Sequence, residues 1–244
     1  MPRFLLEIEY KGTDYSGWQI QPDAQTIEGV LESAFSRILQ QPIDIIGQGR
    51  TDAGVHAKGQ TAHVDLPEDS DIYKLIHGVN SLVGHAIHIK HIEPVSDDFH
   101  ARFDALTRLY RYTVLDYPSP LLIDQAWHSG NKIKLSELRA CAELIEGEHD
   151  FNGFSKYNEE NFTTLCYIYR AKWVNEPNYI YFEIEANRFL RNMVRRLVGT
   201  MMEVSRGKIS RADFSKILNN EMEAPAAYTA PAKGLVLQEV FYKK

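Results

Sequence analysis

A chain of 244 residues with 44% apolar composition is long enough for one large or two modest globular units, each with a full core. Its formal net charge of −6 weighs against a nucleic-acid partner, and two cysteines without C-x-x-C spacing exclude a disulfide framework and a cysteine zinc site. No stretch nears the roughly 18–20 continuous apolar residues of a membrane span, and the first apolar run is broken by Glu7 and Glu9 before it reaches the length of a secretory leader, so the expected place is the cytoplasm.

Residues 4–10 alternate as a strand, with Leu6, Ile8 and Tyr10 on one face. A loop of turn formers follows with Tyr15 and Trp18; such rings stack on a base or plug the end of a core, and plugging is the expectation for at least one of them. Thr26 is placed to cap a helix in which Ile27, Val30, Leu31, Ala34, Phe35, Ile38 and Leu39 form one apolar stripe. Residues 43–46 read as a short buried strand. After the loop Gly49-Arg50-Thr51-Asp52-Ala53-Gly54-Val55-His56, residues 59–66 alternate again, with Gln60, Ala62, Val64 and Leu66 on one side and Thr61, His63 and Asp65 on the other. Ser70 is placed to cap a second amphipathic helix with Ile72, Leu75, Ile76 and Val79, and residues 87–92 supply a strand. The order is β-α-β-β-α-β, that of ferredoxin-like folds.

The second part repeats it. Residues 108–116 are a strand, 135–145 a helix that stops at Gly147, and 165–174 with 179–186 a hairpin across Asn175-Glu176-Pro177-Asn178. A helix over 188–204 follows, then one begun by the capping box Ser210-x-x-Asp213, then a closing strand over 234–242. The expected fold is α+β: two ferredoxin-like lobes with mainly antiparallel sheets, residues 1–100 and 101–244, and a central cleft lined by the Asp52 loop.

That loop is the densest concentration of chemistry in the chain. An arginine beside a carboxylate favours its charged form, and flanking glycines let a backbone come close; an ordinary surface turn is the competing reading. In Arg108-Leu109-Tyr110-Arg111-Tyr112, Tyr110 and Tyr112 share a strand face with Arg108. A tyrosine among arginines stacks on a flat ring or takes part in proton transfer, and a core ladder of aromatics accounts for the same pattern. Charge is segregated: residues 187–211 carry seven basic side chains (Arg188, Arg191, Arg195, Arg196, Arg206, Lys208, Arg211) and only Glu203 against them, a local +6 that leaves −12 for the rest. In the expected helix, Arg188, Arg191 and Arg195 recur at i, i+3 and i+7 and line one stripe, spaced for successive phosphates or with one turned inward to Asp52. No P-loop, G-x-G-x-x-G or H-E-x-x-H occurs, and His85, His88 and His91 would alternate across a strand, so no cofactor or metal is expected.

The run of residues 49–57 resembles the signature loop of the TruA family of tRNA pseudouridine synthases. Further stretches agree in the same order along nearly the whole chain: Tyr15-Ser16-Gly17-Trp18-Gln19, Asp98-Phe99-His100-Ala101-Arg102, residues 108–112, residues 189–199, and Ala230-Pro231-Ala232-Lys233-Gly234-Leu235. The resemblance implies a cofactor-free isomerase that converts uridine to pseudouridine in the anticodon stem-loop of tRNAs, working as a homodimer whose subunits both hold the tRNA. It implies Asp52 as the catalytic carboxylate, Arg50 at the flipped-out nucleotide, Tyr110 stacked on the target uracil, and Arg195 paired with the carboxylate; His56 is a further expected substrate contact. Arg188, Arg191, Arg102 and Arg111 are the expected RNA contacts. Two positions depart from the family pattern: Cys166 stands where a basic residue is expected, and Ser205 where a glycine is usual. Two other classes share parts of this pattern. An RRM-like binding module shares the element order but lacks its aromatic-rich pattern on a central strand. A glycosidase or nucleosidase wants a second carboxyl group, and none stands beside Asp52 in sequence.

Overall fold

The computed structural model describes residues 1–130, 133–159 and 161–243. The chain divides into two compact units, Met1–Leu106 with Leu237–Lys244, and Thr107–Val236. The closing strand, expected with the second lobe, thus belongs for most of its length to the first. Gly59 is one reason: a Cβ there would stand 2.6 Å from the carbonyl oxygen of Gln238, so only a glycine lets the returning backbone lie this close.

The first unit runs β1 (Arg3–Tyr10), α1 (Ile27–Leu39), β2 (Ile45–Gly47), β3 (His56–Asp65), α2 (Ile72–Leu82) and β4 (Ile87–Pro94), the expected order. Strands β4, β1 and β3 are antiparallel neighbours, and β2 pairs antiparallel with β3. Strand alternation sends Leu6, Ile8 and Tyr10 inward, and the helical stripe sends Ile27, Leu31, Ala34 and Phe35 inward, so one core takes both periodicities. Thr26 caps α1 as expected, its hydroxyl accepting the N–H of Gly29. The cap of α2 is Asp71 and not Ser70: a cap side chain bonds the N–H three residues on, and Asp71 meets Lys74 there at 3.1 Å.

Both faces of β3 are buried here: Thr61 and His63, on the opposite side from Ala62 and Val64, are buried too. The Tyr242 hydroxyl, on β10 (Leu235–Tyr242), lies 2.6 Å from Thr61 Oγ1 and donates to the Ala101 carbonyl at 2.8 Å. His63 Nδ1 accepts the N–H of Ala101 at 3.2 Å. Burial, with Arg3 and His100 nearby, lowers the His63 pKa to about 4, which suits a neutral ring acting as an acceptor.

The second unit holds β5 (Ala105–Leu115), β6 (Trp127–His128), α3 (Leu135–Glu143), β7 (Gly147–Asp150), β8 (Leu165–Asn175), β9 (Ile180–Ala186), α4 (Met193–Ser205) and α5 (Arg211–Leu218). Strands β5, β9, β8 and β7 are antiparallel in that spatial order, and β6 lies parallel to the end of β5. The capping box of α5 is present on both arms. Helix α4 starts five residues after the expected residue 188, because Asn192 adopts a left-handed conformation, φ 62°, that no helix continues through. The two departures from the family pattern are both absorbed in packing. Cys166 points into the core with its thiol pKa pushed up to about 11 by burial, and Ser205 Oγ accepts the N–H of Lys134 at 2.7 Å, tying α4 to the start of α3. Among the described residues, no helix is long and apolar enough to cross a membrane.

Candidate active site

The loop 49–56 is built by its neighbours before its own side chains enter. The Tyr10 hydroxyl lies 2.7 Å from Thr51 Oγ1, the Trp18 N–H donates to the Thr51 carbonyl at 3.1 Å, and the Gly54 N–H donates to the Tyr15 carbonyl at 3.3 Å. Gly17 makes this approach possible: its φ is 93°, and a Cβ there would lie 2.6 Å from the Thr51 carbonyl oxygen. Within the loop, the Val55 N–H closes a turn on the Asp52 carbonyl at 3.1 Å. Its near end is held by two glutamines, Gln60 Nε2 donating to the Gly49 carbonyl at 3.1 Å and Gln48 Nε2 to Gln60 Oε1 at 3.0 Å. Of the two bracketing glycines, Gly54 uses a positive φ of 78°, whereas Gly49 has open space around its missing side chain.

Held this way, the loop leaves Asp52 half-buried and Arg50 exposed. His56 is different. It opens β3, is 5% exposed, and accepts the Gly12 N–H on Nδ1 at 3.0 Å, so its ring joins the two loops. Trp18 and Tyr15 are both buried, which gives them the plugging role and not that of a stacking surface. Sequence spacing alone gives Gln48, Gln60 and Tyr10 no part in holding the loop. The available signal was a glutamine on the inward side of an alternating strand, since a buried amide must find a partner. Arg102, also in this unit, is exposed with its guanidinium 5.9 Å from the Phe103 ring centre.

In the second unit, β5 presents Tyr110 and Tyr112 on its inward face. Tyr112 is a core residue: its hydroxyl donates to the Pro231 carbonyl at 2.8 Å, and burial raises its pKa far above the usual phenol range. Tyr110, at 9% exposure, keeps an edge-on contact with Phe189, ring centres 5.1 Å apart. Arg108 donates to the Asn187 carbonyl at 2.7 Å. Arg195 sits in the first turn of α4; Nε donates to the Ala230 carbonyl at 2.9 Å, and its own carbonyl accepts the Ala230 N–H. Two family stretches, 189–199 and 230–235, are thereby fastened together.

The expected arginine stripe is not there. With α4 beginning at Met193, Arg188 and Arg191 precede the helix, and only Arg195 lies on it. Most of the basic run also has architectural work. Arg206 pairs with the buried Glu203 at 2.6 Å, donates to the Ser129 carbonyl and stacks over Trp127, while Lys208 holds the other Glu203 oxygen. Arg211 pairs with Glu137, and Arg196 donates to the Ser155 carbonyl. Arg188 reaches Asn161 at 3.4 Å, and Arg191 is exposed. Arg111, another expected RNA contact, pairs with Glu183 at 2.9 Å and lies 4.3 Å from the Tyr181 ring centre. Glu183 also faces Lys172 and Arg170; its carboxyl is pulled below the ordinary range because these cations outweigh the burial that opposes them.

The geometry defines a class: an α+β protein with mainly antiparallel strands, the first unit in β-α-β-β-α-β order, in which a carboxylate and an arginine share one braced loop and an aromatic strand accompanies backbone-tied guanidinium groups. The comparisons give that class its family. The family model described as tRNA pseudouridine synthase matches residues 7–104 and 140–243. A protein of Chlorobaculum tepidum named tRNA pseudouridine synthase A is 40% identical over 97% of this chain and 96% of its own length. One of the same name from Porphyromonas gingivalis is 39% identical over 99% and 98%. Another, from Chlorobium luteolum, is 37% identical over 99% and 96%. The chain belongs to the tRNA pseudouridine synthase family.

Proposed function

We propose that this protein isomerises uridine to pseudouridine in tRNA, with Asp52 as the catalytic carboxylate. The observation that carries the reading is the bracing of the Asp52 loop. Backbone atoms on both sides of Asp52 are fixed by buried partners, while the carboxylate itself is only half-buried. A preorganised acid group of this kind meets its substrate without reorganising.

The reaction breaks the N1–C1′ bond of uridine, turns the uracil and forms a C5–C1′ bond, with loss of the C5 proton. No electrons are gained or lost, so side chains suffice. The target uridine must leave its stack, which costs a few kcal/mol. Stacking on Tyr110 offsets part of that cost, Arg50, His56 and Arg195 serve the flipped nucleotide, and Arg188, Arg191, Arg102 and Arg111 meet the RNA backbone. His56 acts through the loop, given its bond to Gly12. The substrate region is the anticodon stem-loop, the working form a homodimer in the cytoplasm, and no cofactor takes part.

The test is release of tritium from an unmodified tRNA transcript carrying 5-tritiated uridine, with nucleoside analysis of the product. Tritium release with pseudouridine formed is the expected result. Free uracil would assign a glycosidase, and intact label on bound tRNA would assign a binding module.

A further inference from the structure

Behind the Asp52 loop lies a second group of carboxylates that the reaction as described does not use: Glu28 and Glu32 one turn apart on α1, and Asp44 just before β2. Glu28 is tied on both oxygens. Oε1 accepts the indole N–H of Trp18 at 2.9 Å, and Oε2 accepts the N–H of Ile20 at 2.9 Å. Its backbone N–H also donates to the Trp18 carbonyl at 3.0 Å, so one residue grips Trp18 by backbone and by ring. The ring has little room to shift, because a Cβ on Gly47 would stand 2.5 Å from the indole nitrogen. From Trp18 the next bond runs to the loop itself, the backbone N–H of Trp18 donating to the Thr51 carbonyl at 3.1 Å. Arg50 also acts on Glu28: burial raises the Glu28 pKa, while the two N–H donors and the charge of Arg50 oppose that rise.

We propose that Glu28 is a positioning residue for the isomerisation: it seats Trp18, and through the Trp18–Thr51 backbone bond it fixes where Asp52 stands. This rests on the reading of Asp52 as the catalytic carboxylate. The role requires a carboxylate. Two N–H groups point at the two oxygens, whereas an amide offers one acceptor and turns an NH₂ group toward the other donor.

Glu28→Gln, Trp18→Phe and the double variant test it, with turnover at saturating tRNA, equilibrium tRNA binding and amide hydrogen exchange measured on each. Loss of one charge-assisted bond to the brace lowers turnover about tenfold with tRNA affinity held within about twofold. The double variant is no slower than the slower single, since both act through one contact. Exchange in peptides covering residues 12–18 and 49–55 quickens about tenfold in Glu28→Gln and stays unchanged in β8 and β9. Unaltered turnover, a loss confined to tRNA affinity, or additive losses in the double variant would overturn the proposal. So would a Glu28→Gln chain that no longer folds, which would make Glu28 a determinant of core stability. The exchange pattern needs no activity. If the native protein turns over no tRNA, the functional reading fails, and the exchange data still decide whether Glu28 braces the loop.

Discussion

Residues 49–56 of the first unit and residues 188–211 of the second are both rich in charge, and they are built in opposite ways. Neutral groups brace the first: a phenol, two glutamine amides, and backbone bonds to Tyr15 and Trp18. In the second, the cations are themselves the fasteners, tied to Glu203, Glu137 and the carbonyls of Ser129, Ser155 and Ala230. A charged stretch is a candidate site where other groups also carry the architecture. Where the charges carry it themselves, the run is largely scaffold.

The sharpest way to break this contrast is to disturb the neutral brace without touching a charge. Gly17→Ala puts a Cβ against the Thr51 carbonyl at a positive φ. We expect turnover to fall about a hundredfold, near 2.7 kcal/mol in the barrier, while tRNA binding changes by less than threefold or so. The reverse experiment removes a scaffold cation. Arg206→Ala leaves the buried Glu203 with Lys208 alone and strips the Trp127 ring of its partner. This should cost about 2–3 kcal/mol of stability, a drop of roughly 5–10 °C in Tm, with activity of the folded protein little altered. A large loss of tRNA affinity in Arg206→Ala would blur the distinction.

A smaller effect follows from the carboxylates behind the loop. Glu32 is raised to about 7, first by burial and then by Asp44 and Glu28, while its bond from the Ile45 N–H works the other way. Since the folded state binds this proton more tightly than the unfolded chain, Glu32 disfavours folding progressively as pH rises from about 4.5 to 7, and fully above that. Glu32→Gln imitates the protonated acid. Its Tm should match the native value near pH 5 and exceed it by about 2–4 °C at pH 8, on a contribution near 1 kcal/mol after solvent screening. A gap that narrows with rising pH would show the sign to be wrong. The smallest effect belongs to Arg191, which is exposed before α4. Arg191→Ala should leave Tm unchanged, weaken tRNA binding about threefold and reduce the salt slope by about one.

Much of the fold was legible because local periodicity and tertiary burial agree. The α1 stripe, the Thr26 cap and the Ser210/Asp213 box all follow from residue spacing, which tertiary contacts here reinforce. The start of α4 was not legible. Leu190, Met193, Val194 and Leu197 keep the helical spacing across Asn192, so the apolar pattern runs on while the backbone turns left-handed. The buried side of β3 was hidden for another reason: Thr61 and His63 are polar, and what closes over them comes from Ala101 and Tyr242, far away in sequence. In the site, Asp52 and Arg50 announced themselves by residue type. Their supports did not, because a tyrosine, a glutamine or a tryptophan in a strand or loop carries no mark of the loop it holds.

The most direct test of the account is Asp52→Asn, which keeps the shape of the side chain and removes its charge. Tritium release and equilibrium tRNA binding should be measured on one preparation at neutral pH. The account predicts turnover reduced at least about a thousandfold, the scale of losing a group that acts in the transition state, with tRNA affinity kept within about threefold. Turnover that survives the substitution, or affinity that falls in step with it, would contradict the assignment of the chemistry to Asp52.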